Sequence, residues 1–318
     1  MSSLNFAAAG TATPALSELP LLPDFTDDAL RSINFRLNRN DGNTENGDKA
    51  YKWRLVIAYD GTRFSGWQYQ QSTPTVQCLI EEALTRITKL DRDKLRFQVA
   101  HFLTPFNYES LDSIHRALNG LLPSDIRIRE IGPVVPEFHA RFSVTSKIYH
   151  YRIYNDTIMD PFQRHYVYHS GYRLNADVMI DAAKQFVGEH DFSAFANVSR
   201  NDRVPNPVKN IFRCEVIEMG PLLQVEVEGT GFLYRQVRNM VALLLQVGME
   251  AVPVDIVPRI LESRDRRELA KFTFSVPPHG LSLVAVKYNE QHLDFPEGGP
   301  AASLGRHHSL GKCKLPSF

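Results

Sequence analysis

Three shortages narrow what this sequence can be. Its three cysteines, Cys78, Cys214 and Cys313, form no C-x-x-C pair and leave an odd number. That argues for a reducing compartment and against a structural zinc site. Neither charge is in surplus: Lys+Arg and Asp+Glu number 36 each, so bulk charge announces no nucleic-acid partner and any basic surface must be local. No apolar run approaches the roughly 20 residues that a membrane span needs. A Walker loop, G-x-G-x-x-G, H-E-x-x-H and G-x-S-x-G are also missing, which leaves nucleotide, zinc-protease and serine-hydrolase chemistry without support.

What is there suffices for a folded protein. At 318 residues and 43% hydrophobic composition, the chain can bury a substantial core as one large domain or two smaller ones. Residues 1–50 read as a disordered leader. Met1–Ser17 is rich in Ser, Ala and Thr, as a transit peptide would be, but it lacks arginine and acids follow soon after. Asn38–Lys49 is a polar linker, and residues 291–318 read as a flexible tail. Between them strands and helices alternate. Trp53–Ala58, Lys147–Tyr154, Ile211–Glu218, Leu222–Glu228 and Leu281–Tyr288 read as strands. Thr75–Leu90, Leu111–Leu121, Ala176–Val187, Ile256–Glu262 and Arg267–Phe272 read as helices. The pattern implies an α+β fold of two halves, residues 51–143 and 144–290, each a sheet backed by helices.

Four stretches draw attention as chemistry. Gly229–Gly248 reads as a core helix opening just after a Gly-Thr-Gly turn, with Phe232, Val237, Met240, Val241, Leu244 and Val247 at helical spacing. Arg235 falls in its first turns. Arg238 precedes an almost unbroken apolar run, and an arginine cannot shed its proton to escape desolvation. It either snorkels to the helix end or holds an anionic group. Tyr59–Gln68 turns through Gly61 and Gly66 beside aromatic and amide side chains, a pattern that packing also explains. Phe138–Ser143 leads into Lys147–Arg152, where basic and aromatic residues interleave. Such a strand suits a ribose-phosphate backbone with a stacked base, or a sheet face packed under helices. Ser199–Arg213 gathers Arg200, Arg203, Lys209 and Arg213 in a polar loop whose default role is a solvated surface.

Taken in order, these stretches resemble the TruA-type tRNA pseudouridine synthases. The resemblance runs from about Trp53 to Tyr288. It takes in Tyr59-Asp60-Gly61, Gly66-Trp67-Gln68, Val76-Gln77, Asn119–Ile126, Phe138–Ser143, Lys147 with Tyr149-His150-Tyr151, Asp191–Phe195, Val237-Arg238-Asn239 and Gly280–Val286. It implies two ferredoxin-like-type halves whose sheets meet at a central RNA-binding cleft, usually in a homodimer. It also implies isomerisation of tRNA uridine to pseudouridine, in the anticodon arm for the best-known members, with neither metal nor organic cofactor. In such enzymes an aspartate attacks the target nucleoside, the glycosidic bond breaks and the base is rejoined through C5. The resemblance makes Tyr149 the residue that stacks on the target base and Arg238 the partner of the nucleophile. Arg141 is read as a further substrate-binding residue, and Lys147, Arg200 and Arg203 as RNA-binding residues.

One motif of the family does not match. The nucleophile belongs in a Gly-Arg-Thr-Asp-x-Gly-Val-His-Ala-x-Gly loop that leads into Gln-Val. Here the helix ends near Leu90 and Gln98-Val99-Ala100-His101 resumes after only Asp91–Phe97. Asp93, between Arg92 and Lys94, is the one candidate substitute, and no glycine after it permits the tight turn. The chain therefore reads either as a family member whose functional form carries the loop, or as a non-catalytic tRNA-binding isoform or paralogue. The expected compartment is the cytoplasm, or a plastid or mitochondrion if the leader is a transit peptide.

Overall fold

A computed structural model describes residues 50–97, 100–198, 206–293 and 299–305. The protein is α+β and divides into two compact units, Met1–Ser143 with Glu290–Phe318, and Val144–Asn289.

The first unit is built on β1 (Tyr51–Tyr59), paired antiparallel with β2 (His101–Thr104) on one side and β3 (Ile126–Pro133) on the other. Helices α1 (Val76–Thr88), α2 (Arg92–Leu95) and α3 (Asp112–Leu121) complete it. Thr75 starts α1 by accepting the Cys78 N–H at 3.3 Å, the expected work of a Thr cap. Val76, Leu79, Ile80, Ala83, Leu84 and Ile87 then recur on one face and share a core with Trp53, Leu55, Phe102 and Ile128. Trp53 is buried to 1% exposure, and its indole donates to Thr104 Oγ1 at 2.8 Å, tying β1 to β2.

A ferredoxin-like half runs βαββαβ; among the described residues this unit runs β1-α1-α2-β2-α3-β3. Among the described residues between Lys89 and Ala100, only the one-turn α2 is regular, and its Leu95 reaches the core together with Phe97. β2 starts opposite Arg54 and ends opposite Tyr51. From Val56 to Tyr59, β1 is therefore paired on its β3 side alone among the described residues, with Val56 and Tyr59 exposed.

Part of the stretch read as a flexible tail is held in place. Ser303 and Ile131 exchange backbone hydrogen bonds at 2.8 and 3.0 Å on the open side of β3. The Ser303 hydroxyl donates to Asp112 at 2.7 Å and lies 2.9 Å from Nδ1 of the buried His115. The tail is short of apolar residues, so sequence pattern does not mark this attachment; backbone pairing and one hydroxyl hold Ser303. Ser303→Ala is expected to lower stability by about 1–2 kcal/mol by leaving a buried imidazole nitrogen unpaired. Urea unfolding checks this, with Leu304→Ala, at a half-exposed neighbour, shifting the midpoint much less.

The second unit has a six-stranded sheet and its own core. β4 (Val144–Tyr154) lies between β8 (Leu222–Gly229) on one side and β9 (Leu281–Tyr288) with the short β5 (Tyr168–His169) on the other. β7 (Val208–Met219) and β6 (Gly188–Asp191) follow beyond β8. The β7–β8 hairpin turns at Gly220, whose φ of +61° is a conformation that favours glycine. Helices α4 (Ala176–Lys184), α5 (Gln236–Gly248), α6 (Ile256–Ser263) and α7 (Arg266–Ala270) supply the rest of the core.

Helix α5 corrects the sequence reading at its start. It opens at Gln236, well after the Gly-Thr-Gly turn, so Phe232 lies outside it and Arg235 is the residue before it, with a φ of +62°. The reason is local: the Gln236 side chain accepts the Leu233 N–H at 2.9 Å and Thr230 N–H bonds Asn210 O, which holds the intervening residues in a loop. No helix among the described residues is long and apolar enough to cross a membrane.

Candidate RNA-modifying site

Strand alternation puts Lys147, Tyr149, Tyr151 and Ile153 on one face of β4. Ile153 and Tyr151 are fully buried, while Tyr149 and Lys147 are half-buried. The face thus runs from core to surface. Tyr149 sits between Val227 of β8 and Leu283 of β9, and its ring meets that of Phe232 edge-on at 5.2 Å and 87°. One ring edge is fixed by that contact, which orients a partly exposed aromatic surface. Lys147 lies opposite Gly229 and Val286.

Arg238 emerges from α5 beside this face. Every other residue of the helix is buried except Gln246, whereas Arg238 is half-buried. Its Nε donates to the Val276 carbonyl at 2.6 Å. The next carbonyl, that of Pro277, accepts the Tyr151 hydroxyl at 2.9 Å. The residue before them, Ser275, donates its hydroxyl to Oδ1 of the fully buried Asn239. Asn239 also donates to the Phe195 carbonyl at 2.6 Å and to Asn197 Oδ1 at 2.9 Å. Three consecutive residues, Ser275 to Pro277, are thereby clamped by α5 and β4.

The electrostatics follow from this packing. Burial, and then the neighbouring Arg235 charge, pull the Arg238 guanidinium below its ordinary value, yet arginine stays charged in proteins. Burial pushes the Tyr151 phenol well above its ordinary value, so it remains a neutral donor. No carboxylate lies within ion-pair distance of Arg238 among the described residues. Only its Nε is engaged, by a carbonyl. The terminal nitrogens of the guanidinium form the fork that receives a carboxylate or phosphate in a bidentate pair. Two readings of this arginine were open, snorkelling or holding an anion; the structure fixes its Nε on the Val276 carbonyl.

The remaining sequence candidates are placed as follows. Arg141 belongs to the first unit. It is exposed in a turn where His139 Nδ1 accepts the Arg141 N–H at 3.1 Å and Ser143 Oγ accepts the His139 N–H at 3.0 Å. Its guanidinium lies 5.8 Å from the Phe142 ring centroid. Arg200 and Arg203 fall outside the described residues.

Asp93 is on α2, exposed, and makes no side-chain hydrogen bond or ion pair among the described residues. Its neighbour Arg92 is committed elsewhere, to Glu81 and to the Tyr69 ring 3.7 Å away. A nucleophilic carboxylate needs a positioned partner or base, and nothing around Asp93 provides one. Sequence reading missed Asn239 and Tyr151 as parts of the site. Their signal was present, in the two-residue spacing from Tyr149 and in the adjacency to Arg238, but a buried tyrosine or asparagine reads first as core.

Known proteins resemble this chain over most of its length. A family model described as tRNA pseudouridine synthase matches residues 182–289, the stretch that contains Asn239, Arg238 and Val276. The chain is 37% identical to tRNA pseudouridine synthase A 1 of Protochlamydia amoebophila over 253 positions, covering 76% of this chain and 97% of that protein. It is 38% identical to tRNA pseudouridine synthase A of Pseudothermotoga lettingae over 248 positions, 74% of this chain and 99% of that protein. It is 37% identical to the enzyme of the same name from Bacillus pumilus over 251 positions, 75% and 99% respectively.

Proposed function

The chain belongs to the tRNA pseudouridine synthase A family, and from that premise we propose that it binds tRNA at the anticodon arm but, in this form, does not isomerise uridine. The observation that carries the reading is the passage from α1 to β2. There the described residues between Lys89 and Ala100 form a single helical turn with an exposed Asp93 where the family has its aspartate loop.

In the catalytically complete form the roles divide among residues already described. Tyr149, held edge-on by Phe232, stacks on the target base. Arg238, fixed at Nε by Val276, offers its terminal nitrogens to the nucleophilic carboxylate and opposes the desolvation that would protonate it. Arg141, Lys147, Arg200 and Arg203 meet phosphates. The protein assembles as a homodimer in this reading and works in the cytoplasm, with a plastid or mitochondrion as the alternative if residues 1–49 act as a transit peptide. A catalytically competent member whose transcript includes the loop is the second reading, favoured by the intact surroundings of Arg238; sequencing the transcript across Leu90–Gln98 separates the two.

Binding is testable on the chain as it stands. Filter binding to an unmodified tRNA transcript is expected to show affinity falling steeply with salt, because phosphate contacts release counterions. Arg200→Ala with Arg203→Ala should weaken binding to all tRNAs alike and flatten the slope by about two. Failure of the parent chain to bind at low salt would overturn the proposal. An unchanged slope in the double variant would remove that loop from the RNA surface.

A further inference from the structure

We infer that Tyr234 and Phe274, with Arg235, form a subsite that holds an unpaired nucleotide of the tRNA beside the Arg238 guanidinium. The inference rests on the tRNA-binding reading above. Both rings are exposed, Tyr234 to 51% and Phe274 to 80%. Single exposed aromatics are ordinary on protein surfaces. These two differ in being presented by backbone that is tightly held. Phe274 directly precedes Ser275, Val276 and Pro277, which Asn239, Arg238 and Tyr151 hold in turn. The Tyr234 carbonyl accepts the Asn197 N–H at 3.0 Å, and the Arg235 carbonyl accepts the Asn239 N–H at 3.0 Å. The same buried asparagine therefore secures both sides of the subsite.

The charges complete the argument. Arg235 lies 5.2 Å from the Tyr234 ring centroid and close enough to Arg238 to disfavour the latter's charge. Neither guanidinium has a carboxylate within ion-pair distance among the described residues. Two mutually repelling cations, one of them over an aromatic ring, are thus held without a neutralising carboxylate among the described residues. An apolar ring face next to an unneutralised guanidinium fits one chemical class: a base that stacks and a phosphate that pairs. A base inside a duplex offers no free face, so the occupant is an unpaired nucleotide, as sequence-specific RNA recognition commonly requires.

The test uses the full chain, an unmodified tRNA transcript and a fully paired RNA duplex of similar length. Phe274→Ala and Tyr234→Ala are each expected to weaken tRNA binding roughly tenfold, as loss of one base–aromatic stack does. The salt slope should not change, because no phosphate contact is lost, and duplex binding should stay as it was. Phe274→Trp and Tyr234→Phe should keep parental affinity, whereas Phe274→Leu should not. Both side chains are exposed, so unchanged melting of every variant serves as the folding control. If the alanine variants bind tRNA as the parent does, the subsite is overturned and the tRNA reading stands. Equal losses on tRNA and duplex, or parental affinity in Phe274→Leu, would also overturn it. A parent chain that binds no tRNA defeats the underlying reading instead.

Discussion

Incubated with unmodified tRNA, this chain is expected to leave its uridines unconverted, while a version with the Gly-Arg-Thr-Asp loop restored between Leu90 and Gln98 converts its target. Losing the attacking group of a covalent mechanism lowers turnover by at least about 10⁴-fold, which takes the chain to background. The structure gives two independent reasons. Arg238, which the family pairs with the nucleophile, has a backbone carbonyl and no carboxylate among the described residues. Asp93, the nearest replacement in sequence, is exposed on α2 and lacks any positioning partner. Chemical mapping or mass spectrometry of the RNA decides the matter. Robust conversion by the chain as it stands would show that another carboxylate attacks, and Asp93→Asn would then be the variant to make first.

The second large effect concerns packing against Tyr151. Replacing Gly280 by alanine is expected to destabilise the second unit by about 3 kcal/mol, the upper end of what overpacking costs. A β-carbon there would lie 2.8 Å from Cε1 and Cζ of Tyr151 and 2.9 Å from the Arg152 carbonyl. Neither neighbour yields easily. The ring is buried and tethered through its hydroxyl to Pro277, and the carbonyl belongs to β4, which is paired on both sides. Gly231 is the matching control, since a β-carbon there meets nothing within 4 Å; Gly231→Ala should change stability by less than about 0.5 kcal/mol. Thermal or urea unfolding of the two variants side by side checks the prediction. Equal behaviour would mean that the Pro277–Gly280 turn shifts more freely than its hydrogen bonds imply.

The second unit was the more legible of the two from sequence. The Lys147–Tyr154 alternation, the Gly220-Pro221 hairpin and the apolar spacing of α5 each report burial through a single period, and each element formed within a few residues of its expected place. In the first unit β2 and β3 went unread as strands. β2 is four residues long and follows the passage that departs from the family, too little for a period to show. β3 alternates through Ile126 and Ile128, then slips register opposite Val56 and Ile57 and ends in Pro133, which breaks the period mid-strand. Within the site, Arg238 stood out because an arginine amid apolar residues demands an explanation. Tyr151 and Asn239 did not, because their roles lie in which distant carbonyls they meet, Pro277 and Phe195, and no local pattern encodes that.

The Ser303–Ile131 pairing has a consequence for biosynthesis. Because the first unit is made of Met1–Ser143 and Glu290–Phe318, it is interrupted by the whole of the second. A ribosome adding ~5–20 residues per second completes the sheet, α1 and α3 early. It then needs on the order of ten seconds or more at that pace before Ser303 is translated. During that interval the nascent first unit presents an uncapped β3 edge and an imidazole, His115, that lacks its hydroxyl partner. Unpaired strand edges invite association with other chains, so the translating polysome is where this protein is most exposed to aggregation. A premature stop codon before Ser303 would make that transient state permanent.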